Sequence, residues 1–235
     1  MQNKTFVIDL DGTLIKGQSQ RYLIEYLKEI KKISFLKYFM IMLGFVLYKL
    51  SIYKNAAQLL QFTLNNFKNE KEDDIYKYID DFFNKNLKDR YFNNSKSIIK
   101  MMKDSGHKII ILSAVIDPLV KRICDDLNIV SFISTKLEFD NNGFFTGRIV
   151  DRQNYGNQKL DNIRKYLFEN NLNEEDVIVL TDHESDIPII KYFKNSIVTN
   201  PNLYMNRWAR QNNYPIIYLN NNESIQYIKH YIESK

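Results

Sequence analysis

The stretch Thr5-Phe-Val-Ile-Asp-Leu-Asp-Gly-Thr13 decides how the rest of the chain is interpreted. Its apolar and β-branched start is typical of a buried strand, and Asp-Gly is typical of the tight loop that follows a strand. Similar runs predict further strands at 108–112, 176–180, 196–199 and 215–219. Helical patterns lie between them at 116–127, 159–168, 187–193 and 202–211. Strands that alternate with helices predict an α/β fold built on a doubly wound parallel sheet.

Composition restricts the kind of protein this can be. The chain has 235 residues, of which 44% are hydrophobic and 26% charged, so we expect one or two globular cores and exclude a disordered tail or a fibre. A lone cysteine, Cys124, excludes an intramolecular disulfide framework and a cysteine-rich zinc module. Its apolar-spaced neighbours predict that Cys124 is a buried packing residue.

Three observations bear on partners and location. The N-terminus lacks the pattern of a secretory signal, so a cytoplasmic location is the default expectation. The net charge of +5 arises from lysines scattered among acids, which does not favour nucleic-acid binding. The uncharged run Tyr38–Tyr48 lies between Lys37 and Lys49 and is shorter than the roughly 20 residues that cross a bilayer as a helix, so we expect no stable membrane insertion. We interpret it as a buried helix, the alternative being a helix that contacts a membrane surface or an apolar substrate.

The part of the chain between the first two predicted strands differs from the rest, because it holds helical spacings and no strand-like run. We expect helices there at about 20–31, 35–50, 56–67 and 72–87. The predicted organisation is therefore an α/β core formed by 1–17 and 95–235, with an all-helical domain at 18–94 inserted after the first strand. The natural hinges are the two connections near 15–18 and 92–95.

Polar side chains follow three of the predicted strands, where ligands bind in doubly wound sheets. They are Asp9 and Asp11 after the first strand, Ser113 after the second, and Asp182 and Asp186 after the third. Lys159, which begins the helix before that third strand, belongs to the same set. Carboxylates that converge in one crevice repel each other unless a hard cation lies between them, and oxygen ligands without His or Cys indicate Mg²⁺. A lysine and a hydroxyl suit phosphoryl oxygens, so the set predicts phosphoryl chemistry.

The same residues resemble the motifs of a known family. The stretch 6–14 resembles the DxDGT motif of the haloacid dehalogenase superfamily, at the end of its first strand. Ser113 matches the second motif, Lys159 the third, and Thr181-Asp-His-Glu-Ser-Asp186 the fourth. The resemblance implies a Rossmann-like core with an inserted cap.

A finer resemblance is to subfamily IB, the phosphoserine-phosphatase-like branch. It rests on a hairpin-like segment at 144–149, on Tyr155-Gly-Asn-Gln-Lys159, on Ser185-Asp-Ile-Pro188, and on the continuation from Thr199 to Ala209. The match covers about 4–18 and 95–220, and the helical insertion agrees with the cap of that branch in placement and length. His183 and Glu184 depart from the fourth motif. We expect His183 to pack or to face solvent, the alternative being that it contacts substrate or modulates the metal ligands.

The resemblance implies a role for each residue of the set. Asp9 would be the nucleophile that forms an aspartyl-phosphate, and Asp11 the general acid and then the general base. Mg²⁺ would be held by Asp9, the backbone carbonyl of Asp11 and Asp182, with Asp186 as a second metal-side acid. Ser113, the following amide of Ala114, Lys159 and Thr13 would bind the phosphoryl group.

The substrate depends on the cap and on the loop after Thr13. Gln18, Ser19, Gln20 and Arg21 lie nearest to that loop in sequence, and we take these four residues as candidates for substrate contact. A small phosphorylated metabolite is the expected substrate, such as an amino-alcohol, amino-acid or sugar phosphate. The alternatives that stay open are a phosphomutase, a non-catalytic binding protein, and a phosphatase of a lipid-like phosphate at a membrane surface. The oligomeric state stays open too.

Overall fold

A computed structural model describes residues 3–49 and 56–233. The strands in these residues are β1 (Thr5–Ile8), β2 (Lys108–Ile116), β3 (Ser131–Thr135), β4 (Leu137–Phe139), β5 (Phe145–Ile149), β6 (Val177–Thr181), β7 (Asn195–Thr199) and β8 (Ile216–Ile217). Six of them form one sheet in the order β3-β2-β1-β6-β7-β8, and all neighbours in it are parallel. The chain winds outward from β1 in one direction and from β6 in the other, which confirms the doubly wound sheet.

The central strands are buried on both faces. Every residue of β1 and β6 is buried, as expected for strands without charged side chains that are covered by helices on each side. Their register pairs Ile8 with Leu180, so both strands end at the same edge of the sheet. In a doubly wound sheet, a ligand crevice opens between the two neighbouring strands from which the chain winds in opposite directions, and here these strands are β1 and β6.

The helices of the described residues are α1 (Ser19–Glu29), α2 (Phe35–Lys49), α3 (Ala56–Leu64), α4 (Glu72–Phe82), α5 (Ser95–Asp104), α6 (Asp117–Leu127), α7 (Asn157–Glu169), α8 (Ile187–Tyr192), α9 (Leu203–Gln211) and α10 (Glu223–Glu233). Helices α1 to α4 lie between β1 and β2, where the sequence predicted four helices. Three of them end earlier than expected: α1 ends at Glu29, α3 passes into a 3₁₀ turn at Asn65–Phe67, and α4 passes into a π-helical turn at Phe83–Leu87. The predicted end of the second helix, at Leu50, lies outside the described residues.

The two connections between the helical insertion and the core run side by side. The amide of Lys16 donates to the carbonyl of Arg90 at 2.7 Å, and the amide of Phe92 donates to that of Leu14 at 3.0 Å. The insertion is also bonded to the hairpin β4-β5, since the amide of Asn69 donates to the carbonyl of Phe145 at 2.9 Å. The boundaries at 17/18 and 94/95 stay a prediction.

Helix α2 departs from the expected buried helix. Ile41 is fully buried, but Phe39, Leu43 and Val46 on the opposite side are exposed. The prediction of a buried helix is therefore wrong for one face, because in a small helical layer only one side of α2 meets other helices. Cys124 is buried, as predicted. Within residues 3–49 and 56–233, no helix has both the length and the apolar character needed to cross a membrane.

Candidate active site

Asp9 and Asp11 follow β1 at the carboxyl edge of the sheet. The amide of Asp9 donates to the carbonyl of Leu180 at 2.9 Å, which extends the pairing of β1 with β6 and places Asp9 beside the loop that carries Asp182. The turn after Asp11 depends on Gly12, whose φ is +80°. A Cβ on Gly12 would lie 2.0 Å from Oδ2 of Asp182, so only glycine allows this close approach.

Lys159 joins the loop after β1 to the loop after β6. It lies in the first turn of α7 and is buried, and its Nζ is 2.8 Å from Oδ1 of Asp9 and 2.9 Å from Oδ2 of Asp186. Burial alone would lower the pKa of this ammonium, but the charges of Asp186 and Asp9 and their hydrogen bonds outweigh it and raise the pKa. Lys159 is therefore charged at neutral pH and offsets part of the negative charge at this edge.

Asp186 is held by side chains of its own loop. Its Oδ2 accepts a hydrogen bond from Oγ1 of Thr181 at 2.7 Å as well as the bond from Lys159, and its Oδ1 accepts one from Oγ of Ser185 at 3.2 Å. Three protein donors thus meet this carboxylate, which suits a residue that fixes the position of Lys159. The role of Asp186 as a metal-side acid stays a prediction.

Asp11 has an unusual pKa for a carboxyl group. Burial, followed by the negative charge of Asp9, raises its pKa to about 7, against the opposing hydrogen bond from Ser19. Oγ of Ser19 donates to Oδ2 of Asp11 at 3.0 Å. Oδ1 of Asp11 is buried and meets no hydrogen-bond partner in the part of the chain that the structure describes. A carboxyl group with this pKa can both give and take a proton near neutral pH.

Asp182 completes the acidic cluster. Burial raises its pKa, and the charges of Asp9 and Asp186 raise it further. Oγ1 of Thr13 lies 3.4 Å from Oδ1 of Asp182 and donates to it. Thr13, predicted to bind substrate, is fully buried and bonded to this carboxylate.

The donor set fits a hard divalent cation in its chemistry. Four carboxyl groups lie at this edge of the sheet, one ammonium group contacts two of them, and all possible ligands are oxygens. Asp9 and Asp182 would hold the cation by their carboxylates and Asp11 by its backbone carbonyl, so the carboxyl group of Asp11 stays available to carry a proton. Across residues 3–49 and 56–233, no three His, Cys, Asp or Glu side chains are already arranged as a ligand set.

Ser113 does not end its strand, contrary to the sequence prediction. Strand β2 continues to Ile116, because its pairing with β3 is irregular after Leu112 but resumes where Ile116 pairs with Thr135. Ser113 is buried, and its Oγ accepts a hydrogen bond from the amide of Val115 at 3.3 Å. The carbonyl of Ala114 accepts one from Oγ1 of Thr135 at 2.8 Å.

The residues at the start of α1 differ in their distance from the acidic cluster and in the contacts they make. Ser19, predicted as a candidate for substrate contact, donates to Asp11, a contact that was not predicted. Nε2 of Gln20 is buried and has no hydrogen-bond partner within the described ranges, so this side chain has a donor to offer. Arg21 is exposed and pairs with Glu25 at 3.0 Å on the outside of the helix, so the structure does not bring Arg21 to the acids. Substrate contact by Gln20 and Arg21 stays a prediction.

Asn200 is a further residue of the site to which the sequence assigned no role. Its Nδ2 donates to the carbonyls of Gly12 at 3.1 Å and Thr13 at 2.9 Å, and its Oδ1 accepts from the amide of Leu219 at 2.7 Å. It follows β7 with a positive φ of 49°, which Asn tolerates better than most residues. The sequence feature that could have identified Asn200 is its position at the end of a predicted strand and before a proline.

His183 has a local structural role. Its Nδ1 accepts a hydrogen bond from the amide of Ser185 at 3.1 Å and thereby caps the short 3₁₀ turn Glu184–Asp186. The ring is partly exposed, which agrees with the expected packing or solvent-facing role. The two residues that depart from the fourth motif thus help to shape the turn that presents Asp186.

Comparison with family models gives one match that spans most of the chain. A model described as haloacid dehalogenase-like hydrolase matches residues 6–191. This range begins in β1 and includes all the acidic residues of the site and Lys159.

Curated relatives are distant. A Mycobacterium tuberculosis protein named phosphoserine phosphatase SerB1 is 21% identical over 137 residues, which are 58% of this chain and 44% of the relative. A Neisseria meningitidis protein named histidinol-phosphatase is 18% identical over 125 residues, 52% of this chain and 56% of the relative. The alignments thus span about half the length of these curated relatives.

Solved structures share the fold. A Bordetella pertussis protein of unknown function has a TM-score of 0.84 at 17% identity, covering 93% of this chain and 100% of that one. A substrate-bound phosphoserine phosphatase has a TM-score of 0.67 at 18% identity, covering 98% and 99% of the two chains. The whole described architecture, helical insertion included, therefore has counterparts among known structures.

Proposed function

The chain belongs to the haloacid dehalogenase-like hydrolase family, and we propose that it is a phosphatase that hydrolyses small phosphomonoesters through an aspartyl-phosphate. The observation that carries the proposal is the pair of carboxyl groups after β1, one fixed by a buried lysine and one with a pKa of about 7. A nucleophile and a proton donor are needed together in this reaction.

In the first step, a carboxylate oxygen of Asp9 attacks phosphorus, and the bond from phosphorus to the ester oxygen breaks. Asp11 gives its proton to the departing oxygen, which leaves as a neutral alcohol. The raised pKa supports this role, because a carboxyl group with an ordinary pKa of 3.8 would hold almost no proton at neutral pH. Ser19 bonds to Oδ2 of Asp11 and orients the group.

In the second step, Asp11 is ionised and takes a proton from water, whose oxygen attacks the phosphorus of the aspartyl-phosphate. The bond from phosphorus to Asp9 breaks, inorganic phosphate leaves, and both carboxyl groups return to their starting states. One group acts as acid and then as base, which is most effective when its pKa lies near the working pH.

Lys159 and Ser113 would bind the negatively charged oxygens of the phosphoryl group. Lys159 already contacts Asp9, so its ammonium lies beside the atom that phosphorus would approach. Ser113 accepts the bond from the amide of Val115, which leaves its own hydroxyl proton to donate. Mg²⁺, held by Asp9, Asp11 and Asp182, would neutralise phosphoryl oxygens and reduce repulsion between the acids. Asp186 and Thr181 would keep Lys159 in place.

We propose an amino-alcohol, amino-acid or sugar phosphate as substrate, with residues 18–94 acting as the cap that selects the leaving group. The names of two curated relatives, phosphoserine phosphatase and histidinol-phosphatase, support phosphate esters of small amino-bearing alcohols as the first class to test. Gln20, with its buried and unused Nε2 in the described surroundings, is the cap residue best suited to donate to such a leaving group. A cytoplasmic location stays a prediction.

Phosphate release from a panel of phosphomonoesters, with Mg²⁺ or with a chelator, tests the proposal. The panel contains phosphoserine, histidinol phosphate, phosphoethanolamine and sugar phosphates. The matched variants are Asp9→Asn, which removes the nucleophile at constant shape, and Asp161→Asn, which makes the same change at an exposed position of α7. We expect Mg²⁺-dependent release in the wild type and in Asp161→Asn, and none in Asp9→Asn. Release that persists in Asp9→Asn would overturn the covalent mechanism.

A further inference from the structure

One face of α2 presents large apolar side chains to solvent. The exposed residues are spaced three or four apart along the helix, as one face requires, and are Phe35, Leu36, Phe39, Met40, Leu43 and Val46. Phe35 is 70% exposed and Phe39 56% exposed. We call these six residues the α2 apolar face. An exposed apolar patch of adjacent side chains is uncommon unless the patch binds something.

The opposite face of α2 is occupied by the protein itself. Ile41 is fully buried, and Tyr38 and Phe45 pack against the core as partly buried residues. Because this side is already covered, α2 is fixed on the body of the protein with the α2 apolar face turned outward. Such a helix can lie flat on an apolar layer while the rest of the protein stays above it.

Lysines are scattered among acids along most of the chain, but the segment that contains this helix is an exception. Residues 30–69 contain six lysines and no Asp, Glu or Arg. The whole chain has 33 basic and 28 acidic residues, so removal of these six lysines would leave one more acid than base. The net positive charge of the protein therefore comes from the segment that carries the α2 apolar face.

Two of the nearby lysines lie against aromatic rings. Nζ of Lys37 is 5.8 Å from the centre of the Phe62 ring, and Nζ of Lys28 is 4.8 Å from that of Tyr38. Lys31, at the turn after α1, is exposed. Lys32 differs because it is paired with Glu70. Lys28, Lys31 and Lys37 thus place positive charge next to apolar surface, which is the arrangement that binds both the headgroups and the acyl chains of anionic lipids.

We propose that the α2 apolar face, together with Lys31 and Lys37 beside it, forms a docking surface for an anionic lipid bilayer. The apolar side chains enter the boundary between headgroups and acyl chains, and the lysines meet the phosphate groups. A second copy of this chain would bring the same lysines together in a twofold interface with no acid of this segment to pair them. Charge complementarity therefore favours an anionic bilayer over self-association, and the docking does not depend on the catalytic activity.

Vesicle flotation of the purified full chain tests the proposal. The vesicles contain phosphatidylcholine alone or phosphatidylcholine mixed with phosphatidylglycerol, at low and at high salt. We expect the wild type to float with the anionic vesicles, to float less at high salt, and not to float with phosphatidylcholine alone. The double variant Phe39→Ser/Leu43→Ser should bind anionic vesicles at least about tenfold more weakly.

Matched controls test whether binding depends on the α2 apolar face and its lysines or on any exposed apolar or lysine side chain. Phe168→Ser/Leu203→Ser removes two apolar side chains that are exposed elsewhere, and it should bind like the wild type. Lys31→Gln/Lys37→Gln should weaken binding at low salt, whereas Lys191→Gln/Lys194→Gln, at exposed positions near the end of α8, should not. Circular dichroism establishes that each variant is folded before binding is compared.

Three results would overturn the proposal. The first is a wild type that does not bind anionic vesicles. The second is a folded Phe39→Ser/Leu43→Ser variant that binds them as well as the control does. The third is a wild type that is a dimer by light scattering, is dissociated by Phe39→Ser/Leu43→Ser, and does not float; a second copy of the chain would then be what covers the α2 apolar face.

Discussion

Replacement of Lys159 by methionine tests how the site is held together. The side chain is buried, and its Nζ contacts Asp9 at 2.8 Å and Asp186 at 2.9 Å. Methionine keeps most of the length and apolar volume but removes the charge. The two carboxylates would then face each other without the cation between them, in a region where burial already raises the pKa of Asp9.

The expected loss in the free energy of unfolding is about 3–5 kcal/mol, the usual cost of removing one partner from a buried ion pair. The loss should depend on pH with a definite sign. Lys159 lowers the pKa of Asp9, so without it this pKa rises further and the folded variant binds a proton more tightly than the unfolded chain does. Its stability therefore falls as the pH rises, and the difference from wild type should be larger at about pH 8 than at about pH 5.

Urea unfolding, followed by circular dichroism in the presence of a chelator, measures this difference at both pH values. Lys165→Met is the matched control, because Lys165 lies on the same helix and its partner Glu169 is 3.9 Å away at an exposed position. Exposed pairs of this kind contribute little, so the control should unfold like the wild type. Equal losses for the two variants, or a loss at Lys159 that is the same at both pH values, would refute the reasoning.

Three further outcomes follow from the geometry. Gly12→Ala should abolish activity because its Cβ would meet a carboxylate at 2.0 Å, whereas Gly143→Ala, which also has a positive φ but open space around it, should keep full activity; steady-state kinetics compares them. Asn200→Ala should lower kcat by about ten- to a hundredfold because the loop after β1 loses two hydrogen bonds; an unchanged kcat would show that the loop holds its own shape. In metal-free protein the folded pKa of Asp11, about 7, exceeds the ordinary 3.8, so the Tm should fall as the pH rises between these values, and Asp11→Asn should flatten that fall.

The clustering of Asp9, Asp11 and Asp182 could be predicted because these acids follow strands with a strong apolar pattern. Asp9 and Asp11 come directly after Ile8, and Asp182 directly after Thr181, so parallel strands bring them to one edge. Lys159 was predicted from its motif, but its pairing with both Asp9 and Asp186 follows only from the position of α7 against the sheet.

Other features depend on tertiary structure and had no clear sequence signal. Ser113 lies within β2 because the strand pairs with β3 again at Ile116, beyond an irregularity in the pairing. An apolar run in the sequence does not reveal such a register shift. The apolar pattern of Tyr38–Tyr48 predicts a helix but does not tell which of its faces will be covered, because that depends on how many helices surround it. The contacts of Asn200 with Gly12 and Thr13 join positions almost 190 residues apart in sequence.

The most direct test of the central claim is the identification of the phosphorylated residue. The protein is mixed briefly with Mg²⁺ and its best phosphomonoester substrate, quenched in acid, and analysed by intact mass and peptide mapping. We expect one phosphoryl group on Asp9, absent from Asp9→Asn and present in the control Asp161→Asn. Rapid turnover with no phosphorylated protein at any time, or with the phosphoryl group on another residue, would contradict the assignment of Asp9 as the nucleophile.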